Sequence, residues 1–243
     1  MKIFYSALIL LVTSCTVNKI DTATEIVERC IQVHGGTAYE EGRFEYTFRG
    51  RQYELQYEHG KYRYSRLSVD TAGHEIIDIL TNSDFTRLVD STKVPLSQKD
   101  IQKYTNSVRS VHYFAYLPFF LSDPAVRLKR LKDEVIHGFT YHKIEVTFVE
   151  QGGGVDYDDV YVYWIRADDF TMDYLAYSYE VDGGGVRFRE AYDPREVGGI
   201  RWQDYVNYKH EKTTPPAQMA SLFQKDELVE LSRIELENIT AIH

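Results

Sequence analysis

The stretch RFEYTFRGRQYELQYEHGKYRYS, residues 43 to 65, decides the fold. Its period is two. Phe44, Tyr46 and Phe48 fall on one side of an extended chain, Tyr53, Leu55 and Tyr57 repeat the arrangement, and Tyr62 and Tyr64 continue it after the turn residues His59-Gly60. Side chains alternate between the two faces of a strand, so short alternating runs joined by tight turns predict an antiparallel meander with one face toward solvent.

The same pattern spreads outward. Strands are expected at EIIDIL (75–80), FTRLV (85–89), VRLKRL (126–131) and HKIEVTF (142–148), with Gly138 as the turn residue of the linking DEVIHGFTY. Further strands are expected at DDVYVYWIR, TMDYLAYSYEV, GVRFREAY and GIRWQDYVNYK, separated by the turn compositions ADDF, DGGG and DPREVGG. In VYVYWI and YLAYSY both parities are apolar or aromatic, which places these two strands mid-sheet with something packed behind them. After TTPPAQMASLFQ, a short helix opened by Pro215-Pro216, the segment ELSRIELENI reads as one final strand.

Helices are few. In DTATEIVERCIQVHGG, Thr22 and Glu25 carry a capping-box signature, Ala23, Ile26, Val27, Cys30 and Ile31 keep helical spacing, and Gly35-Gly36 supplies the stop. A central helix is expected around residues 99 to 116. About ten to twelve strands with no strand–helix–strand alternation argue against a parallel α/β fold. The fold class is therefore α+β, mainly β: a large curved antiparallel sheet, a half-barrel, with helices packed on its concave face.

The chain opens MKIFYSALILLVTSCT, with Lys2 as a minimal basic region, an apolar run from Ile3 to Val12, and Val12-Thr13-Ser14 before Cys15. This reads as a secretory signal over residues 1–14. Its ending resembles the lipobox of bacterial lipoproteins, which implies a Cys15 thioether-linked to diacylglycerol and acylated on its new amino group. Acyl chains in that number give a stable membrane anchor. Residues 15–20 are then a tether, and residues 21–243 a single domain held within about 18 Å of the anchor. The alternative is a disulfide between Cys15 and Cys30, the two cysteines of the chain. With Cys15 acylated, Cys30 is left as a thiol on an apolar helix face and reads as core.

A net charge of −9 over 243 residues gives nucleic acid or an anionic lipid surface nothing to hold, so attachment must come from the anchor. The stretch SVHYFAYLPFFLSDP (110–124) is almost free of charge, but its apolar core is far short of the roughly twenty residues of a spanning helix. Strands of about seven residues are likewise short for a transmembrane barrel.

A lipobox, a helix ending in Gly-Gly and a long meander interrupted by one helical insertion resemble the lipoprotein-carrier superfamily typified by LolA and LolB. The segments AYLPFFL, HGFTYHKIEVTF, VYVYWI, GGGVRFREAYDP and VGGIRWQDYVNY are similar to an uncharacterised domain-of-unknown-function family of Gram-negative lipoproteins. The resemblance implies a half-barrel whose apolar concave side is lidded by helices. Val111, Phe114, Leu117, Phe119, Phe120 and Leu121 would form the lid, after a helix ended by Pro118. Phe44, Phe48, Tyr53, Leu55 and Trp164 would line a slot for a lipid, an acyl chain or another hydrophobic small molecule. The same residues would equally compose a plug that fills the half-barrel as core. Ten buried methylenes are worth roughly 8 kcal/mol gross, so binding there needs a dry slot and no catalytic group.

No motif asks for chemistry. None of the eight histidines makes zinc-ligand spacing, the acidic residues Asp156, Asp158, Asp159, Asp168 and Asp169 lack EF-hand spacing, and the glycine triplets QGGGV and DGGGV read as hairpin turns. No G-x-S-x-G is present, although a carboxylate pair drawn from distant strands stays open. His34, ending its helix, reads as a cation that suits the helix dipole. The expectation is a non-catalytic monomer without cofactor or metal, lipid-anchored in the outer membrane and facing the periplasm, its partner a hydrophobic ligand or, alternatively, another envelope protein. An envelope hydrolase is the third reading.

Overall fold

The computed structural model describes residues 21–149, 159–180 and 183–242. The lipobox with Cys15, and the acidic loop with Asp156 and Asp158, lie outside the described residues.

The meander forms as its alternation dictates. Strands β1 (Glu41–Phe48), β2 (Arg51–Glu58), β3 (Lys61–Val69), β4 (Glu75–Thr81), β5 (Phe85–Val89) and β6 (Thr92–Lys93) pair in sequence. Phe44 stands opposite Leu55 and Leu55 opposite Tyr64, so one row of apolar side chains crosses three strands on the inward face. The second sheet holds β7 (Val126–Arg130), β9 (Phe139–Phe148), β10 (Val160–Arg166), β11 (Met172–Tyr179), β12 (Gly185–Val197), β13 (Ile200–Lys209) and β14 (Val229–Ile234), with β8 (Glu134–Ile136) beside β9. All pairings described are antiparallel.

Among the described residues the class is mainly β with three helices, as expected, but the architecture is two large sheets not closed into a barrel, and the strands number fifteen. The expected final strand is two. The chain leaves the second sheet at Ile234 and enters the first as β15 (Glu237–Ala241), beside β1. Asp204 holds this crossing by accepting from the Leu236 amide at 2.9 Å, while Arg195 pairs with Asp204 at 2.9 Å and donates to the Leu236 carbonyl.

DPREV, expected as turn, belongs to β12. Pairing breaks between Tyr192 and Arg195 and resumes at Arg195 opposite Trp202, so Asp193 and Pro194 occupy a bulge, where a residue without an amide hydrogen is tolerated. The turn proper is Gly198-Gly199. Both have positive φ (62° and 76°), as a tight hairpin requires.

Helix α1 (Ala23–His34) starts with the expected reciprocal cap. The Glu25 amide donates to Thr22 Oγ1 at 3.2 Å, and the Thr22 amide to Glu25 Oε2 at 2.7 Å. It buries Ile26, Val27, Cys30 and His34. Helix α2 (Gln98–Ala115) is capped by Ser97 and followed, through a cis Leu117–Pro118 bond, by a 3-10 turn over Phe119–Ser122. Both helices join the core shared by the inward faces of the two sheets. Helix α3 (Met219–Phe223) instead covers the opposite face of the second sheet with a separate core. This cover explains why β10 and β11, mid-sheet, are apolar at both parities. Among the described residues no helix is long and apolar enough to cross a membrane.

Candidate functional site

The candidate site is the aromatic interior beneath α2. Strand β1 sends in Phe44, Tyr46 and Phe48, β2 sends in Tyr53, Leu55 and Tyr57, and the second sheet contributes Tyr163, Ile165, Leu175, Trp202 and Tyr205. Phe44 meets Trp202 edge-on at 5.1 Å, and Tyr46 stacks on Tyr53 at 5.5 Å. Of the residues expected to line a slot, Phe44, Phe48, Tyr53 and Leu55 come together here, all buried.

Trp164 does not join them. Side chains alternate along β10, so Tyr163 and Ile165 face the interior while Val162 and Trp164 face α3. Trp164 is buried in that second core, donates through Nε1 to Glu134 Oε2 at 2.9 Å and meets Phe188 edge-on. Because both parities of β10 are apolar, its pattern left the facing undetermined.

The lid residues split in two. Val111, Leu117 and Leu121 are buried, whereas Phe114, Phe119 and Phe120 are half-buried at the mouth between α2 and the sheets. Phe119 stacks on Tyr39 at 5.1 Å and meets Tyr57 edge-on, while Phe120 stacks on Tyr113 at 5.3 Å. The interior is thus filled by its own side chains. Two cavities, of about 230 and 380 Å³, lie elsewhere.

Polar groups inside this interior carry more information than its apolar lining. His112, on the buried face of α2, shares a 2.8 Å hydrogen bond with the Tyr46 hydroxyl and stacks on Tyr64 at 4.4 Å. Burial, opposed by the Ser65 backbone, lowers its pKa to about 3, so it is neutral at physiological pH. His34 is also a neutral acceptor and not the cation the helix end suggested. Its Nε2 accepts from the Met172 amide at 3.1 Å, and burial first, with the Arg201 charge second, lowers its pKa to about 3. Cys30 is buried, with its thiol pKa pushed up mainly by that burial. Tyr113 Oη, Tyr163 Oη and Arg189 Nε are buried without a hydrogen-bond partner. They cluster where α2 meets the second sheet: Tyr113 sits close enough to Tyr163 to raise its pKa further after burial, and the Arg189 guanidinium lies 5.4 Å from the Phe114 ring.

Sequence reasoning missed the charged row that ties α2 to the first sheet. On β3, β4 and β5, Arg66 stands opposite Asp78 and Asp78 opposite Arg87, all inward. Asp78 Oδ2 accepts from Arg66 Nη2 at 2.6 Å and Oδ1 from Arg87 Nε at 2.7 Å. Arg66 Nη1 then donates to Ser107 Oγ on α2 at 2.7 Å, and the Arg87 guanidinium lies 3.4 Å from the Tyr104 ring. The signal was available, since each of the three charges shares strand parity with inward aromatics or aliphatics. Among the described residues no group of three or more His, Cys, Asp or Glu is placed to hold a metal.

No curated protein matches this sequence. Similar solved structures include a LolA superfamily protein of Nitrosomonas europaea, 12% identical, covering 92% of this chain and 95% of that one with a TM-score of 0.48. A DUF1329 family protein of Desulfovibrio piger is 10% identical over 91% of this chain and 94% of its own, TM-score 0.41. A domain described as outer membrane lipoprotein-sorting, from Vibrio parahaemolyticus, is 9% identical over 90% and 93%, TM-score 0.44. The model of a family of unknown function, DUF6503, matches residues 1–236, and the chain belongs to that family.

Proposed function

We propose that this protein is a non-catalytic, lipid-anchored envelope protein that takes a hydrophobic ligand, a lipid or acyl chain with a polar head, beneath α2 and the turn that follows it. One observation carries the reading: Tyr113 Oη, Tyr163 Oη and Arg189 Nε lie buried together without partners. Each such atom costs about 1–3 kcal/mol, and folded interiors seldom leave them unsatisfied. A ligand head would supply their partners, and its chain would displace Phe119 and Phe120, which are only half-buried. Cys15 is the anchor, the outer membrane facing the periplasm its place, and the monomer its working form.

Native mass spectrometry with solvent extraction, on residues 16–243 purified without detergent, tests the ligand. Lipid that co-purifies and is lost in Phe119→Asp/Phe120→Asp supports the reading, and Tyr113→Phe should weaken retention. A bare protein that gains no thermal stability from added fatty acid overturns it. That outcome favours a second reading, a structural lipoprotein whose partner is another envelope protein, which draws on the filling of the interior by its own side chains. The anchor has its own test: Cys15→Ser should lose palmitate labelling and leave the membrane fraction.

A further inference from the structure

The inward face of the second sheet changes character one row beyond α2. Tyr163, Leu175 and Arg189 stand opposite one another on β10, β11 and β12, and the first two are buried in the shared core. The next inward row is Tyr161, Tyr177, Arg187 and Lys209, crossing from β10 to β13. Its first three members are half-buried and Lys209 is exposed, so the interior opens there as a ledge. Core and ledge are continuous: the Tyr161 ring stacks on Tyr163 at 6.3 Å and on Tyr177 at 5.3 Å. The Arg189 guanidinium lies 5.2 Å from the Tyr177 ring and 5.4 Å from Phe114 of α2.

This ledge is rich in donors and cations. Arg189 Nη2 donates to the Tyr177 hydroxyl at 3.1 Å, Arg187 Nη2 donates to the Tyr179 hydroxyl, and Arg187 Nη1 donates to the Val186 carbonyl. A hydroxyl that accepts from a guanidinium keeps its own proton for a further acceptor. Among the described residues none of Arg187, Arg189 and Lys209 forms an ion pair with a carboxylate. Arg187 and Lys209 moreover stand directly opposite each other on one face, and like charges in that position destabilise a strand pair. Asp159, buried just ahead of β10, is placed on this side by alternation, and it is outnumbered by Arg187, Arg189 and Lys209. A chain whose net charge is −9 thus holds a local cationic patch at the mouth of its apolar interior.

Donors without acceptors call for an oxyanion, and the spacing selects which one. Arg187 and Arg189 lie on one face of β12, roughly 7 Å apart along the strand, so two guanidinium forks can meet the oxygens of one tetrahedral phosphate. A planar carboxylate is filled by one such fork. A phosphate held there has the apolar interior directly behind it, through Phe114 and Tyr163, which fits the head of a lipid better than a free ion. We infer that the ligand is an anionic phospholipid, its phosphate held by Arg187 and Arg189 with Lys209 beside them and its chains beneath α2. The inference rests on the reading that a lipid lies beneath α2 and names that lipid's head.

Isothermal titration of residues 16–243, which keep every described element, with dihexanoyl phosphatidylglycerol, dihexanoyl phosphatidylcholine and inorganic phosphate tests it. The two lipids share chains and a phosphate and differ in net charge. Phosphatidylglycerol should bind about tenfold or more tightly than phosphatidylcholine or inorganic phosphate, and Arg187→Gln should weaken it by about tenfold or more. Lys209→Gln changes an exposed side chain without an ion pair, so it should keep or raise the melting temperature by removing the like-charge pair, while weakening phosphatidylglycerol by about threefold. Equal binding of the two lipids, inorganic phosphate bound as tightly as phosphatidylglycerol, or full phosphatidylglycerol affinity in either variant overturns the inference and leaves lipid binding beneath α2 standing. Decanoic acid bound without either phospholipid does the same. Binding of neither phospholipid nor decanoic acid overturns both readings.

Discussion

Replacing Asp78 by Ala should be among the most damaging single changes in the first sheet. The carboxylate side chain is 1% exposed and accepts from Arg66 Nε and Nη2 at 3.2 and 2.6 Å and from Arg87 Nε and Nη2 at 2.7 and 2.9 Å. Its removal leaves Arg66, 6% exposed, with a guanidinium facing apolar surroundings, whereas Arg87 at 14% can turn part of its charge to water. Breaking a buried pair from one side costs about 3–5 kcal/mol, and the partial escape of Arg87 keeps the total inside that range. Against a typical stability of about 5–15 kcal/mol this is a large fraction. Urea unfolding followed by circular dichroism should show the free energy of unfolding falling by that amount, through a lower midpoint at an unchanged slope. Because Arg66 also holds Ser107 and Arg87 faces Tyr104, hydrogen exchange should rise first in the middle of α2. Ser107→Ala, removing one hydrogen bond at an exposed serine, should cost about 0.5–1.5 kcal/mol. A loss below about 1 kcal/mol for Asp78→Ala, or unchanged protection of α2, would refute the argument that this row tethers the helix.

Other perturbations follow from the same geometry. His34 and His112 stay neutral in the folded protein down to about pH 3 but protonate near pH 6.5 when unfolded, so the stability they contribute is full above pH 6.5 and is lost as pH falls toward 3. Each contributes up to about 1.4 kcal/mol per pH unit in that window, and urea midpoints measured from pH 7 to 4 should fall less steeply in His112→Phe. Cys30 should be inert to a thiol reagent in the native protein and react fully in denaturant, because it is buried as a neutral thiol. Gly198→Ala places a methyl 2.6 Å from Phe44 Cε1 at a φ of +62°, and should cost about 2 kcal/mol, a fall of roughly 4–8 °C in a thermal melt.

The alternation of residues 43–65 was enough to predict the meander, and the capping box of Thr22 and Glu25 enough to predict the first helix, because both depend on spacing and on hydrogen bonds within a few residues. The two-sided apolar pattern of β10 and β11 likewise foretold central strands with a layer behind them. What local pattern could not supply was the assignment of faces where both parities are apolar, which is why Trp164 is expected beside Phe44 yet packs against α3. It also could not foresee that ELSRIELENI divides between two sheets, since the division depends on Asp204 and Arg195, far away in the chain, capturing the backbone at Leu236. The inward charges Arg66, Asp78 and Arg87 were legible by parity, but their pairing is a matter of cross-strand register. Whether the apolar stretch 110–124 covers a cavity or fills one was a question of volume. Composition fixes how greasy a segment is, and only the packed positions of the facing side chains decide how much space is left between them.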